Sequence, residues 1–263
     1  MSKQNIYDNE IFFEGYKSIR QKKENANILF EKPALFSLLP DLKGKRILDL
    51  GCGYGENCIE FVKMGASRVV GVDISKKMLE VAKKENPSPK ITYLNIPMEE
   101  IGSIQAKFDL IVSSLALHYV ENFQEICKLV YNLLDKKGHF IFSQENPINT
   151  CFTSGSRWTC DKDGNKLYAN ISNYSVDGKR CSTWFVDDVI KYHRTFSSII
   201  NTLITTGFTL EKLLEPYPSE QMAKAHPSTQ DLLHKPDFLV VRATKTPSSI
   251  QRTEEGQKER RMQ

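Results

Sequence analysis

The chain predicts an α/β fold, a mostly parallel sheet of seven strands with helices on both faces. Five short apolar runs between residues 45 and 143 alternate with stretches of helical periodicity, the pattern of successive strand–helix–strand units. The first run, Ile47-Leu48-Asp49-Leu50, leads straight into a turn with glycine at positions 51, 53 and 55, where positive φ and close approach of a ligand to the backbone are open. Two more apolar runs, Phe208–Leu214 and residues 238–243, follow near the end and are joined by a connection marked by Pro216, Pro218 and Pro227.

In chain order, Ile11, Phe12, Phe13, Tyr16, Ile19 and Arg20 fall at helical spacing, with Asp8 or Asn9 available as the cap. A second short helix is expected over residues 31–39, with Pro33 in its first turn. Residues 45–50 form the first strand, and a helix over 56–64 is stopped by Gly65. Arg68–Asp73 is the second strand. Ser75 then caps a helix running to Glu85, broken beyond it by Pro87 and Pro89. Residues 91–94 make the third strand and 108–117 the fourth with its exit. An amphipathic helix over 123–134 is ended by Gly138, and 139–143 is the fifth strand. Residues 149–194 lack a clear period but carry turn signals at Asp163-Gly164-Asn165 and Asp177-Gly178, which fit one or two inserted hairpins. Thr195 caps a helix to Thr206, ended by Gly207.

Two ligands compete for the glycine turn. Counted from Gly51, a dinucleotide loop requires glycine at position 56, but the residue is Glu56, whose carboxylate would face a pyrophosphate. Glu56 and Asp49 suit instead a cofactor bearing an ammonium and a sulfonium. Asp73, at the end of the second strand, can accept both hydroxyls of a ribose; nicotinamide enzymes use the same device, so it identifies a ribose and not a cofactor. A turn that serves packing alone would leave the preceding strand, the following helix and the second carboxylate without a reason.

Asp49-Leu-Gly-Cys-Gly-Tyr-Gly55, followed by Gly71-Val-Asp-Ile-Ser75, resembles the first two motifs of class I S-adenosylmethionine-dependent methyltransferases. The resemblance implies a Rossmann-like fold with a C-terminal antiparallel hairpin. It implies S-adenosylmethionine held by Asp49, Gly51, Cys52, Gly53, Asp73, Ile74 and Met78, and past the third strand by Met98 and Glu99. Pro97 stands where the class usually carries an acidic residue for the adenine. Family geometry aims the methyl group at the end of the fourth strand, so Ser113, Ser114 and Leu115 are expected at the cofactor. His118 and Tyr119 follow as catalytic candidates, with His193 as a second base. In such enzymes an N-terminal helical segment often closes as a lid, which brings in Tyr16 and Arg20. Glu145 and the aromatics Trp158, Trp184 and Tyr192 are the acceptor-binding candidates, and His193 with Arg194 sits where the insertion returns to the core. The expected division is a lid over 1–40, a cofactor core over 41–148, a substrate cap over 149–194, the rest of the core over 195–245 and a disordered tail over 246–263.

Asn146-Pro147 precedes Ile148 and lies one strand too late for adenine-N6 DNA methylation, and no Pro-Cys pair follows the fourth strand, against cytosine-C5 chemistry. Residues 113–119 and 144–148, with Tyr192-His-Arg-Thr-Phe196, resemble instead a group of bacterial methyltransferases acting on small molecules. A net charge of +4 over 263 residues, with no obviously basic face, gives no support for an obligatory nucleic-acid partner. No run approaches the ~20 apolar residues of a membrane span. Cys52, Cys58, Cys127, Cys151, Cys160 and Cys181 include no Cys-x-x-Cys pair, so reduced thiols, no metal and a cytoplasmic location are expected. The expected activity is methyl transfer to O or N of a small aromatic or apolar molecule by a monomer or homodimer. A base is needed only for a hydroxyl or a protonated nitrogen. An RNA or protein methyltransferase, or a silent cofactor-binding module, would use the same core.

Overall fold

The computed structural model describes residues 4–20 and 25–246, so the expected tail beyond Thr246 and parts of the expected lid lie outside the described residues. Helix α1 (Glu10–Arg20) starts where Asn9 Oδ1 accepts the Phe12 N–H at 3.1 Å. A wide π-helical turn, Asn27–Glu31, leads into α2 (Lys32–Ser37), with Pro33 in the first turn. The core then alternates β1 (Arg46–Leu50), α3 (Glu56–Lys63), β2 (Arg68–Asp73), α4 (Lys76–Glu85), β3 (Ile91–Asn95), β4 (Phe108–Ser114), α5 (Phe123–Leu133) and β5 (Leu134–Glu145). After the short α6 (Pro147–Thr150) come two hairpins, β6 (Trp158–Cys160) with β7 (Lys166–Ala169) and β8 (Gly178–Trp184) with β9 (Val186–His193). The chain returns to the core through α7 (Phe196–Thr206) and β10 (Phe208–Leu214), and passes α8 (Glu220–Ala225) and α9 (Asp231–His234) before β11 (Phe238–Lys245).

The seven-stranded sheet has the order β10-β11-β5-β4-β1-β2-β3. Strands β1 to β5 are parallel to one another, and β11 runs antiparallel to both β5 and β10. Both faces are covered, which is why the inner strands read as continuous apolar runs instead of alternating ones. Leu48, Leu50, Val70, Val72, Ile111 and Phe142 pack under α5 and α7, while Ile47, Val69, Leu110, Val112 and Ile141 face α2 and α3. Phe61 of α3 is fully buried and stacks on Phe36, so its truncation to alanine costs ~3–5 kcal/mol. Because the chain moves from β1 to β3 on one side and resumes with β4 on the other, a crevice opens above the carboxyl ends of β1 and β4.

The helix signals act as their chemistry requires. Ser75 and Thr195 accept the N–H groups of Met78 and Ser198, both at 3.1 Å, and Gly65 and Gly207 end their helices at φ of +100° and +107°. The fifth strand starts five residues before the expected 139: Leu134 already pairs with Phe108, and the extra residues 135–138, with Lys137 left-handed at φ +59°, bulge from β5 before His139 pairs with Leu110. The proline-marked connection conceals α8, which Ser219 caps by accepting the Met222 N–H at 3.2 Å. No helix among the described residues is long and apolar enough to cross a membrane.

Candidate active site

The floor of the crevice is the glycine turn. Gly51 has φ +71° and donates its N–H to Val72 O at 2.8 Å; a Cβ there would come within 2.5 Å of Ala116 Cβ and 2.8 Å of Met98 Cε. Gly53, at φ +51°, faces open space, and its N–H donates to Asp73 Oδ2 at 2.9 Å. The Ser75 N–H donates to the other Asp73 oxygen at 2.8 Å. Two backbone amides thus aim the Asp73 carboxylate at the cavity, and each oxygen keeps a lone pair for a diol. Burial raises its pKa although those amides oppose the shift. Glu56, at the start of α3, pairs with Arg20 of α1.

The opposite wall is made by the ends of β4 and β5. Ser114 Oγ donates to Glu31 Oε1 at 2.8 Å, and Ser143 Oγ donates to the same oxygen. Leu115 turns at φ +52° and gives its N–H to Ser143 Oγ at 3.1 Å; a left-handed branched residue costs ~1–2 kcal/mol, a strain characteristic of functional turns. Arg194 is buried beneath this exit, donating to the carbonyls of Leu117, Val120 and Glu121. It therefore holds the short turn that presents His118 and Tyr119.

His118 is 3% exposed, and its Nδ1 accepts the Glu145 N–H at 3.4 Å. The ring proton consequently sits on Nε2, 3.9 Å from Glu145 Oε1. Burial brings the imidazole down to about 4, so it is neutral near pH 7. Burial alone would raise the Glu145 carboxyl, but His118 and Lys191 hold it below its ordinary value. The anion at this end of the crevice is Glu145.

A cavity of about 760 Å³ connects these parts. Its wall includes Gly51, Gly53, Asp73, Ile74, Met78, Met98, Glu99, Ser114 and Leu115 from the expected cofactor set, and Tyr16, His118, Tyr119, Glu145, Trp184 and Tyr192 from the expected acceptor end. Aromatic rings from three separated segments meet edge to face, Tyr7 with Tyr16 at 5.2 Å, Tyr7 with Tyr119 at 6.0 Å and Tyr16 with Trp184 at 6.3 Å.

Five expectations need correction. Asp49 lies beneath the turn, off the cavity wall; Cys58 Sγ donates to its Oδ2 at 3.3 Å, its Oδ1 has no partner, and burial raises it to about 7. Cys52 turns its thiol under the sheet, 2.9 Å from where a Gly71 Cβ would stand. Ser113 is buried and donates to Leu50 O at 2.9 Å. His193 is fully buried with both ring nitrogens engaged, at 2.8 Å to Thr150 Oγ1 and 2.8 Å to Tyr174 O, which leaves none for a substrate proton. Trp158 stands beside a separate cavity of about 340 Å³, with Lys166 and Lys235 over its ring and His234 at its edge. Tyr7, Glu31 and Ala116 were not anticipated. Only a carboxylate ending the apolar run Ile28-Leu29-Phe30 hinted at Glu31, and the helix-start reading of that residue absorbed the hint.

A crevice at the switch point of a parallel sheet, with a left-handed glycine floor and a carboxylate placed to accept a diol, defines an enzyme that uses a nucleoside cofactor. Its wall carries Glu31, Asp73, Glu99, Glu121, Glu145 and Asp237 against Arg20 and Lys179, a balance that favours a cationic ligand over a pyrophosphate. Residues 41–188 match the family described as a methyltransferase domain. A solved chain from Listeria monocytogenes, assigned to the S-adenosylmethionine-dependent methyltransferases, is 39% identical with a TM-score of 0.77, covering 82% of this chain and 97% of its own. An S-adenosylmethionine-dependent methyltransferase from Mesorhizobium loti is 38% identical with a TM-score of 0.76, covering 84% of this chain and 98% of its own. An uncharacterized protein of Haemophilus influenzae is 38% identical over 250 residues, 93% of this chain and 98% of its own length. The chain belongs to the class I S-adenosylmethionine-dependent methyltransferases. The crevice fits that cofactor: the unpartnered, buried Asp49 Oδ1 and the acidic wall answer its positive charge, and the glycine floor leaves the space that a Cβ would fill.

Proposed function

We propose that the enzyme transfers the methyl group to an oxygen or nitrogen of a small aromatic or apolar molecule. One observation carries this reading: a single cavity runs from the glycine floor and Asp73 to Trp184 and Tyr192 of the second hairpin. Its volume of about 760 Å³ falls within the ~300–1,000 Å³ of small-molecule sites. Tyr7, Tyr16, Tyr119 and Trp184 offer flat walls to a flat acceptor.

When bound, S-adenosylmethionine supplies a methyl group on a sulfonium, open to in-line displacement. The residues of the chain do the aligning. Asp73 takes the ribose hydroxyls, Ile74, Met78 and Met98 flank the adenosine, Glu99 serves its polar edge, and Ser114 and Leu115 direct the reacting end towards the acceptor. Near-attack alignment of this kind supplies ~7 kcal/mol or more of the barrier reduction. Lys191 Nζ donates to Glu145 Oε1 and fixes the carboxylate, His118 Nδ1 anchors its backbone by accepting the Glu145 N–H, and the other carboxylate oxygen receives the acceptor's N–H or O–H. A carboxylate held below its ordinary range is a weak base, so the chemistry suits an acceptor already close to its nucleophilic form.

In this reading the N-terminal segment is the lid and residues 149–194 are the cap, with β8–β9 as its working part and β6–β7 outside the acceptor cavity. The enzyme acts in the cytoplasm as a monomer or homodimer, without an obligatory nucleic-acid partner; six free thiols suit a reducing compartment. The test is incubation with methyl-labelled S-adenosylmethionine and a cell extract, followed by fractionation of the label. Label in a small molecule is expected, and label confined to RNA or protein would overturn the proposal.

A further inference from the structure

Among the described residues, Glu31 is the one buried carboxylate of the cavity wall that no glycine-turn or ribose role absorbs. It is 3% exposed and sits where the π-helical turn, closed by the Lys32 N–H to Asn27 O, swings the chain into the crevice; such turns recur at functional sites. Its Oε1 takes both serine hydroxyls, Ser114 from the end of β4 and Ser143 from β5, so its position is set from two strands. An isolated buried carboxylate is costly unless a positive charge answers it. Lys32 and Arg20 act on it only at a distance, and burial still raises its pKa.

The position identifies the charge it answers. Asp73 stands at the end of β2 and Glu31 over the end of β4, with β1 and its glycine floor between them. Two strand spacings separate the two acids, ~10 Å. A nucleoside held by its ribose on Asp73 and lying across Gly51 brings its far end to Glu31. Arg20 lines the same cavity, and its guanidinium, although paired with Glu56, keeps N–H donors for a second carboxylate. An anion and a cation over one end of a cavity suit a zwitterion, an α-amino acid with its ammonium and carboxylate.

Building on the cofactor reading above, we propose that Glu31 is the receptor for the α-ammonium of the cofactor's methionyl end, with Arg20 facing its carboxylate. The N-terminal segment then reads the amino-acid end of the ligand and is drawn down by it, which couples closure of the segment to the presence of an intact cofactor. It also makes Glu31 a discriminator against nucleosides that lack the amino acid.

The experiment compares binding of S-adenosylhomocysteine and of methylthioadenosine, which keeps the adenosine and sulfur but has no amino acid, to the wild type and E31Q by calorimetry. Glutamine keeps an acceptor for the two serines and removes only the charge. S-adenosylhomocysteine is expected to weaken tenfold or more in E31Q while methylthioadenosine stays within twofold. Equal weakening of both ligands would make Glu31 a structural residue and overturn the proposal, as would no change in either. If E31Q does not fold, E31D draws the charge back by one methylene and the same pattern is expected. A wild type that binds both nucleosides but methylates no small molecule would remove the proposed function and leave this inference standing.

Discussion

Alanine at Gly51 and at Gly53 separates packing from ligand space within one turn. Both positions have positive φ, at +71° and +51°, so each substitution carries backbone strain of ~1–2 kcal/mol. They differ in surroundings. The new methyl at position 51 would stand 2.5 Å from Ala116 Cβ and 2.8 Å from Met98 Cε, and although the methionine can swing away, Ala116 is carried by backbone. Overpacking of this kind adds ~1–3 kcal/mol. At Gly53 nothing lies within 4 Å, so only the strain remains. At ~2–4 °C per kcal/mol for a chain of this size, G51A should melt ~2–12 °C below G53A in parallel thermal unfolding. With the void above Gly53 proposed as cofactor space, G53A should weaken S-adenosylhomocysteine about tenfold, ~1.4 kcal/mol, while losing only the stability that the backbone strain costs. Equal melting of the two variants would refute the tight floor, and wild-type affinity in G53A would refute the assignment of the void.

Four further outcomes follow from the charges and rings. Asp49, raised to about 7 by burial, should ionise when a cation binds above it, so S-adenosylmethionine affinity should rise with pH up to about 7 and then level. Calorimetry in buffers of different ionisation enthalpy should detect the released proton, and D49N should abolish it; a pH-independent wild type would refute the coupling. H118Q should lower turnover at saturating cofactor less than about threefold, because the imidazole anchors the Glu145 backbone and does not act as a base. His118 has its folded pKa brought from 6.5 to about 4, so the stability it confers is present above pH 6.5 and lost as pH falls towards 4, ~3 kcal/mol in all. Urea unfolding of H118Q should lack that part of the acid sensitivity. W184A should raise the acceptor KM about tenfold, the loss of one aromatic wall, while W158A leaves it unchanged; equal effects would show that the acceptor extends into the smaller cavity.

The glycine floor, Asp73 and the succession of the first five strands along the chain were legible because each depends on neighbours in sequence. The run Ile47 to Leu50 is apolar on both faces since both faces are covered, and glycines at alternate positions announce a left-handed turn wherever the chain then goes. Asp49 was legible as an acid by the turn but not as an acid beneath it: its burial depends on how Cys58 of α3 packs back on β1.

Sequence by itself determined that this chain builds a parallel sheet around a cationic nucleoside site, because periodicity, caps and glycine spacing are local and survive in one dimension. Tertiary structure alone decided which side chains complete the site. Ser143 reaches Glu31 across 112 residues, and Tyr7 meets Tyr119 from the opposite end of the crevice. The same packing withdrew His193 into hydrogen bonds with Thr150 and Tyr174 and set Trp158 beside another cavity. Nothing in the identity of a histidine or a tryptophan records which neighbours will satisfy it, since that follows from how distant elements stack.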